Sequence, residues 1–426
     1  MKVLIVGSGG REHALSWKIS QSPKVTDIFV APGNGGTELE KKITNIDIDS
    51  SDIEGLINFA KSEQIDLTIV GPEDPLVNGI TNRFEENNLM CFGPTREAAQ
   101  LEGSKEFMKI FLDKYSIPSA QYESFTNEKE ALNYIEKKGC PIVIKADGLA
   151  AGKGVTIAYT EDEAKEAIHQ SMNSQIFGDA GKKVVIEEFL YGEEASFIVM
   201  TDGKRAIPFA SSQDHKARDD GDNGPNTGGM GAYSPAPIVN KEIHNKIMNE
   251  VIYPTLEGLE KEGLKYIGFL YAGMMIDANN NLKVLEFNCR FGDPETQPIM
   301  MRLKSDLAEL CLDACKNQLQ SSELDWDDRK SLGVVMASKG YPYKYENNQD
   351  IKNLPESQSD LKVFHAGTKV ENGVLKSNGG RVLCVTALGS SVHSAQQKVY
   401  NAVSKVSWDN SYYRKDIGYK AIEREN

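Results

Sequence analysis

The first hundred residues alternate short apolar runs with helical stretches, and no other feature restricts the fold of this chain so tightly. Lys2–Val6 reads as a strand, Ala14–Ile19 begins an amphipathic segment, and Asp27–Val30 and Leu67–Val70 are further strands. Strands alternating with helices imply a mostly parallel sheet, with ligand loops at the strands' carboxyl ends. The loops Ala31–Gly36 (APGNGG) and Gly71–Pro75 (GPEDP) fall at such ends.

A chain of 426 residues is too long for one core, so roughly three or four domains are expected. A helix is predicted from about Ser104 to Lys114, broken at Ser116-Ile117-Pro118. Residues from about 120 to 190 read as a compact α/β unit: helix Asn127–Lys138, strands Pro141–Ala146 and Val155–Tyr159, then a closing strand Lys183–Leu190. Thr160 with Glu163 forms a capping box for the helix between them. Farther on, Phe197–Met200 is a strand, a glycine- and asparagine-rich loop follows, and Phe269–Ile276 and Leu282–Phe287 flank the turn DANNN as a hairpin. A last unit from about 331 has strands Gly333–Ser338, Lys362–Phe364 and Arg381–Thr386. Its helix shows Val392, Ala395, Val399, Val403 and Val406 on one face.

Charge and cysteine usage narrow the class. The 48 basic and 62 acidic side chains leave a formal charge of −14, which disfavours nucleic-acid and acidic-membrane binders because those need an extended basic face. A small anionic substrate held by a few local cations remains compatible. The opening MKVLIVGSGG reads as a strand entering a glycine turn, not as a signal peptide, and no apolar run reaches spanning length. The six cysteines sit mostly inside apolar patterns, as buried free thiols do, so a reduced, cytoplasmic protein is expected.

Four motifs carry chemistry. The turn Gly7–His13 (GSGGREH) reads as an anion site at a helix N-terminus, where glycines let backbone N–H groups converge. A dinucleotide fingerprint would need a third glycine where Glu12 stands, and a bare glycine turn is the plain alternative. Lys145-Ala-Asp-Gly148 through Gly152, Lys153 and Gly154 suits a flap folding over a triphosphate. Its GxxxGKG spacing is one residue short of a Walker loop and lacks the following Ser or Thr; a surface hairpin is the alternative. Glu286 and Asn288 are two apart on a strand, so both project from one face while Phe287 enters the core. A carboxylate and an amide oxygen side by side suit a hard cation such as Mg²⁺, and Arg290 on the same face can grip a phosphate or carboxylate; a polar edge strand is the bland reading. Finally, SSQDHK at 211–216 and the loop to Tyr233 read either as a linker or as a substrate loop around Asp214, Lys216 and Arg218. His169, His244 and His393 read as surface residues. His13 and His215 are open between structural and catalytic roles.

Lys105 near a helix start, Lys145 with its flap, Glu187-Glu188-Phe189-Leu190, Glu194 and Glu286-x-Asn288 together resemble the ATP-grasp superfamily. The collinear stretches GSGGREHAL, APGNGG, GPEDPL, SQDHK, GPNTGGMGAYSPAP, FNCRFGDPETQ, ASKGYP and NGGRVL resemble the glycinamide ribonucleotide synthetase family over nearly the whole chain. The resemblance implies an α/β and α+β multidomain fold. It divides into a Rossmann-like substrate domain at 1–103, a central ATP-grasp domain at 104–120 and 194–326, a lid domain at 121–193 and a small C-terminal domain at 327–426.

It also implies an enzyme of purine biosynthesis that uses ATP with Mg²⁺ or Mn²⁺ to join glycine to 5-phosphoribosylamine through a glycyl phosphate, as a monomer or weak homodimer. Lys105, Lys145, Gly152, Lys153 and Gly154 would meet the nucleotide phosphates, Glu187–Leu190 the adenine edge, and Glu194 the ribose. Glu286 and Asn288 would hold the metal. Gly9, Gly10, Gly33, Gly36, Glu73, Asp214 and Lys216 would line the phosphoribosylamine site, with Arg290 and Asp293 beside the reacting glycine or phosphate.

Two departures stand out. SQDHK is followed by Ala217 where the family has an arginine, which shifts the loop cation to Arg218. The strand Phe269–Ile276 carries no charge, so no second metal carboxylate comes from it. The rival readings are an ATP-grasp enzyme using formate or bicarbonate, a nucleotide-dependent dehydrogenase and a non-enzymatic ATP-binding module.

Overall fold

The computed structural model describes residues 1–149, 154–173, 182–320 and 323–425. Its N-terminal sheet has five strands in the order Ile43–Asn45, Asp27–Pro32, Lys2–Gly7, Leu67–Val70 and Cys91–Phe92, all parallel. The chain order reverses between Lys2–Gly7 and Leu67–Val70, so the loops after these two strands open a crevice at the sheet's carboxyl edge. The first helix is Gly10–Ser20, four residues longer at its start than the amphipathic pattern indicated. It is buried on nearly every side, including Arg11, Glu12 and His13, because it packs against Thr296–Arg302 and Leu361–His365 as well as its own sheet.

A second sheet is antiparallel: Ala206–Pro208, Glu193–Thr201, Gly268–Ile276 and Leu282–Asn288. The last two form the hairpin expected from DANNN. Asp277 closes its turn by accepting from the N–H groups of Asn279 and Asn281, and Asn280 takes the left-handed conformation (φ 60°). A third sheet orders Tyr122–Phe125, Val184–Glu188, Ile142–Ala146 and Val155–Ala158, backed by the helices Glu128–Lys138 and Glu161–Asn173. Asn127 caps the first of these helices, and Thr160 Oγ accepts from Glu163 N–H at the start of the second.

The glycine- and asparagine-rich segment is not a linker. Gln213–Asp214 and Gly231–Ser234 pair into the six-stranded sheet of Lys330–Ser338, Arg381–Gly389 and Leu361–His365, and Ala217–Asp219 pairs with Asn223–Asn226. The fully buried Arg414 pins this hairpin by donating to Ala217 O (3.0 Å) and Asp222 (2.9 Å), while the Tyr412 hydroxyl bonds Asp219 (2.9 Å).

Apolar packing divides the molecule unevenly. One core joins Val3, Ile5 and Leu15 to Phe269, Phe291, Val335 and Phe364, so it runs through three of the sheets. The 122–188 unit has a separate core of Ala131, Ile135, Ile142, Ile144, Ala164, Ile168 and Ile186. None of its described residues belongs to the cores of the rest. No helix among the described residues is long and apolar enough to cross a membrane, and the six cysteines are free.

Candidate functional site

A cleft of about 480 Å³ lies where the 122–188 unit faces the hairpin Gly268–Asn288. The strand end that faces it carries a β-bulge. Gly273 pairs with Glu286 and Met274 with Val284, leaving Leu285 as the extra residue. The bulge reverses the alternation: Val284 is fully buried, yet Glu286, two residues on, opens into the cleft. Beyond it the pleat is regular, so Glu286 and Asn288 share a face and Phe287 goes into the core.

Three ammonium groups converge on this face. Lys216 Nζ stands 2.9 Å from Glu194 and 3.7 Å from Glu286, tying the loop 211–234 to the strand end. Lys145 donates to the bulge carbonyl of Leu285 at 3.0 Å and stands 2.9 Å from Glu187 Oε1. Lys105 donates to Gly148 O at 2.6 Å. Burial would raise the Glu286 carboxyl, but Lys216, Lys145, Lys105 and Arg290 bring it down to about 2. Burial lowers Lys105, and Glu286 and Glu102 oppose that shift. Burial also works against the charge of Lys216, yet Glu194, Glu286 and Asp214 hold it well above the ordinary lysine range. Asp214 is pushed up by burial and by the nearby Glu295.

An ionised carboxylate beside an amide oxygen is a hard-donor pair, and among the described residues no cluster of three His, Cys, Asp or Glu side chains could form a closed cage. That arrangement fits Mg²⁺ or Mn²⁺, which keeps most of its octahedron for phosphates and water.

Arg290 lies deeper. Its guanidinium contacts Glu73 (3.1 Å) and Glu102 (3.0 Å), with Asn288 Oδ1 at 3.3 Å. Burial opposes the charge of Glu73, but Arg290 and Arg11 bring its carboxyl to about 2. Asp293 accepts from Gln297 (2.8 Å) and pairs with Arg381 (3.2 Å), whose backbone belongs to the C-terminal sheet.

The structure therefore brings Lys105, Lys145, Gly154, Glu187, Glu188, Phe189, Leu190, Glu194, Glu73, Asp214, Lys216, Glu286, Asn288, Arg290 and Asp293 to one cleft. Gly152 and Lys153 lie outside the described residues. Gly33 and Gly36 do not line the cleft; a side chain on Gly33 (φ 74°) would strike Asn45, and one on Gly36 would strike His13 and His365. Gly9 and Gly10 do not line it either, although they adjoin Asp293 and Gln297.

The first glycine turn also differs from an open anion cradle. Gly9 N–H donates to Glu12 Oε2 at 2.6 Å, and a side chain on Gly7 (φ 124°) or Gly71 would run into the Glu12 carboxylate. The glycines make room for this internal anion, which stands where a dinucleotide's pyrophosphate would sit.

Arg218 forks onto Asp219 and does not line the cleft, so the displaced loop cation does not reach it. His13 and His215 are buried in structural roles. His13 Nδ1 accepts from His365 N–H (2.9 Å), and His215 Nε2 accepts from Gly418 N–H (2.9 Å). Of the three histidines read as surface residues, His244 is half-buried against Phe197.

Sequence reasoning gave no role to Arg11, Glu102, Tyr271, Glu295 or Arg381, all of which line the cleft. Arg11, Glu295 and Arg381 stood within the quoted stretches GSGGREHAL, FGDPETQ and NGGRVL; Glu102 and Tyr271 carried no signal.

Three family models of phosphoribosylglycinamide synthetase match in succession: the N domain at residues 1–102, the ATP-grasp (A) domain at 103–296 and the C domain at 331–420. This chain belongs to the phosphoribosylglycinamide synthetase family. Among its relatives, the phosphoribosylamine–glycine ligase of Vibrio parahaemolyticus is 58% identical over 426 residues, covering 100% of this chain and 99% of its own. That of Escherichia coli K12 is 58% identical over 427 residues, with both chains fully covered. The crystal structure of the Thermotoga maritima phosphoribosylamine–glycine ligase superposes with a TM-score of 0.85 at 33% identity, covering 98% of this chain and 100% of that one. A biotin carboxylase from Campylobacter jejuni shares the fold, with a TM-score of 0.74 at 14% identity over 100% and 95% of the two chains. The phosphoribosylglycinamide synthetase fold of this chain is thus the mixed α/β, multidomain ATP-grasp architecture expected from its motifs.

Proposed function

We propose that this chain joins glycine to 5-phosphoribosylamine at the expense of ATP, giving glycinamide ribonucleotide, ADP and phosphate. The observation that carries the reading is the bulged strand end, where Glu286 and Asn288 face Lys105, Lys145 and Lys216 across the cleft between the 122–188 unit and the hairpin. In this reading that unit is the ATP-grasp lid. Val143, Ile157, Met108, Met275 and Leu285 supply the apolar walls for adenine, with Glu187–Leu190 along its edge and Glu194 at the ribose. The proposed divisions remain 1–103, 104–120 with 194–326, 121–193 and 327–426.

A glycine carboxylate oxygen attacks the γ-phosphorus of ATP and ADP leaves. The amine nitrogen of phosphoribosylamine then attacks the acyl carbon, the C–O bond to phosphate breaks, and the nitrogen loses a proton. No protein nucleophile is needed. Glu286 and Asn288 would hold Mg²⁺ or Mn²⁺, which would supply positive charge to offset that of the nucleotide phosphates. Lys105 and Lys145 orient the phosphates, and the closed lid excludes water from the acyl phosphate. Glu73, Asp214, Lys216, Arg290 and Asp293 bind and orient glycine and phosphoribosylamine, with Gly9 and Gly10 behind Asp293. The remaining family positions Gly33 and Gly36 shape the loop after the second strand.

The test is ADP release with each substrate omitted in turn. Release that requires both glycine and freshly made phosphoribosylamine supports the assignment. Equal release with formate or bicarbonate in place of glycine would overturn it.

A further inference from the structure

Lys109 lies one helical turn after Lys105 on Lys105–Lys114, but it does not line the cleft and its side chain is 0% exposed. Its ammonium donates to Ala120 O at 3.0 Å, where the chain passes from the body into the lid. The same group stands 3.3 Å from Glu187 Oε2 and 5.5 Å from the centre of the Tyr122 ring. Glu187, on the lid strand Val184–Glu188, is 2% exposed. Its other oxygen, Oε1, is 2.9 Å from Lys145 Nζ, yet among the described residues it receives no hydrogen bond. The aligned bond of Lys145 goes instead to Leu285 O. One buried carboxylate therefore faces two ammoniums: Lys145, which lines the cleft, and Lys109, sealed behind it.

Breaking a buried ion pair by withdrawing one partner is strongly unfavourable, because the other charge stays behind uncompensated. Were Lys145 the single counter-charge of Glu187, its movement onto a nucleotide phosphate would strand the carboxylate. We infer that Lys109 is a positioning residue that retains Glu187 while Lys145 swings from that carboxylate to the phosphates of ATP. The inference rests on the nucleotide site proposed above. It explains why a lysine occupies a place where a neutral side chain of similar length would pack. Burial lowers the Lys109 pKa, and Glu187 is the main group opposing that.

The experiment uses the full-length protein as Lys109→Met, Glu187→Gln and the double variant. It reads KM for ATP, glycine and phosphoribosylamine, with ADP affinity by calorimetry as a measure independent of turnover. Lys109→Met is expected to raise KM for ATP and weaken ADP about tenfold, the scale of one charged contact. KM for glycine and phosphoribosylamine should stay within about twofold. In the Glu187→Gln background the same change should alter ATP and ADP by less than about twofold, because no anion is left to strand.

An equal loss in both backgrounds, parallel rises in all three KM values, or no change in Lys109→Met overturns the inference. If Lys109→Met alone does not fold, the double variant against Glu187→Gln decides: equal ADP affinity supports the role, and a further loss removes it. Absence of glycine-dependent turnover in the unaltered protein would sink the functional reading instead, and ADP affinity would still test Lys109.

Discussion

The body of the molecule and the 122–188 unit, the proposed lid, are held by opposite kinds of force. Within the body, the parallel sheet, the central hairpin and the C-terminal sheet share buried aliphatic and aromatic side chains; Phe291, for example, packs edge-on to both Phe209 and Phe269. Between body and lid the contacts are polar: Lys145 to Leu285 O, Lys109 to Glu187, Lys183 to Glu106, Lys283 to Glu188, and Asp147 to Ser104 and Glu106. Apolar burial scales with area and tolerates no gap, so the body behaves as one piece. Solvent-facing polar pairs such as Lys283–Glu188 can be exchanged for water at little net cost, whereas the buried Lys109–Glu187 pair cannot. The seam borders the proposed nucleotide site, where a bound phosphate would meet Lys145.

The sharpest break of this contrast compares two core truncations. Phe291→Ala should cost about 3–5 kcal/mol and lower the unfolding of the whole body in one calorimetric transition. Ile144→Ala, in the lid core, should cost about 2–5 kcal/mol but unfold the lid in a separate, earlier transition that abolishes ATP binding. A single shared transition for both variants would show that the seam couples the two regions as tightly as a core.

Glu286→Gln acts at the seam without touching either core. Ligation should fall about 10²–10³-fold while the melting temperature stays near that of the unaltered protein. Near-normal turnover at ordinary Mg²⁺ would remove Glu286 from the metal site.

Inside the body, Glu40 links the first sheet to the C-terminal one through His13 and Lys362. Burial opposes its charge, but those partners bring its carboxyl from 4.5 to about 2. The folded protein thus binds fewer protons there than the unfolded chain. Its contribution is fully present above about pH 4.5 and is lost as pH falls toward 2. Glu40→Gln should therefore cost on the order of 3 kcal/mol at pH 7 and little near pH 2, read from denaturant midpoints across that range.

The smallest effect is expected at Lys283→Gln. Its bridge to Glu188 is more than a third exposed on both sides, so the stability change should be under about 1 kcal/mol and vanish in high salt. A larger, salt-insensitive loss would mean that the seam is drier than its exposure indicates.

Much of this was legible along the chain because it is local. Short apolar runs and helical patterns located the strands Leu67–Val70 and Ile142–Ala146 and the helices Lys105–Lys114 and Glu128–Lys138 to within a residue or two. Two residues' spacing on a strand placed Glu286 and Asn288 on one face. The long segment 211–234 was legible only as a choice, since its glycines and asparagines fit a linker or an ordered loop equally. Arg414, two hundred residues later, is what orders it. Helix Gly10–Ser20 read as amphipathic because local periodicity carries no information about a second packing surface arriving from residues 296–302 and 361–365.

By itself, then, the sequence determined the elements, their order and the residue types able to hold phosphate and metal, because backbone geometry couples near neighbours directly. Only the tertiary structure decided that the first glycine turn encloses its own Glu12, that a bulge at Leu285 turns Glu286 outward, and that Lys109 stands behind Glu187. Each of these depends on groups far apart in the chain meeting where water is excluded. There a charge must find a partner, and that requirement is written in no single stretch of residues.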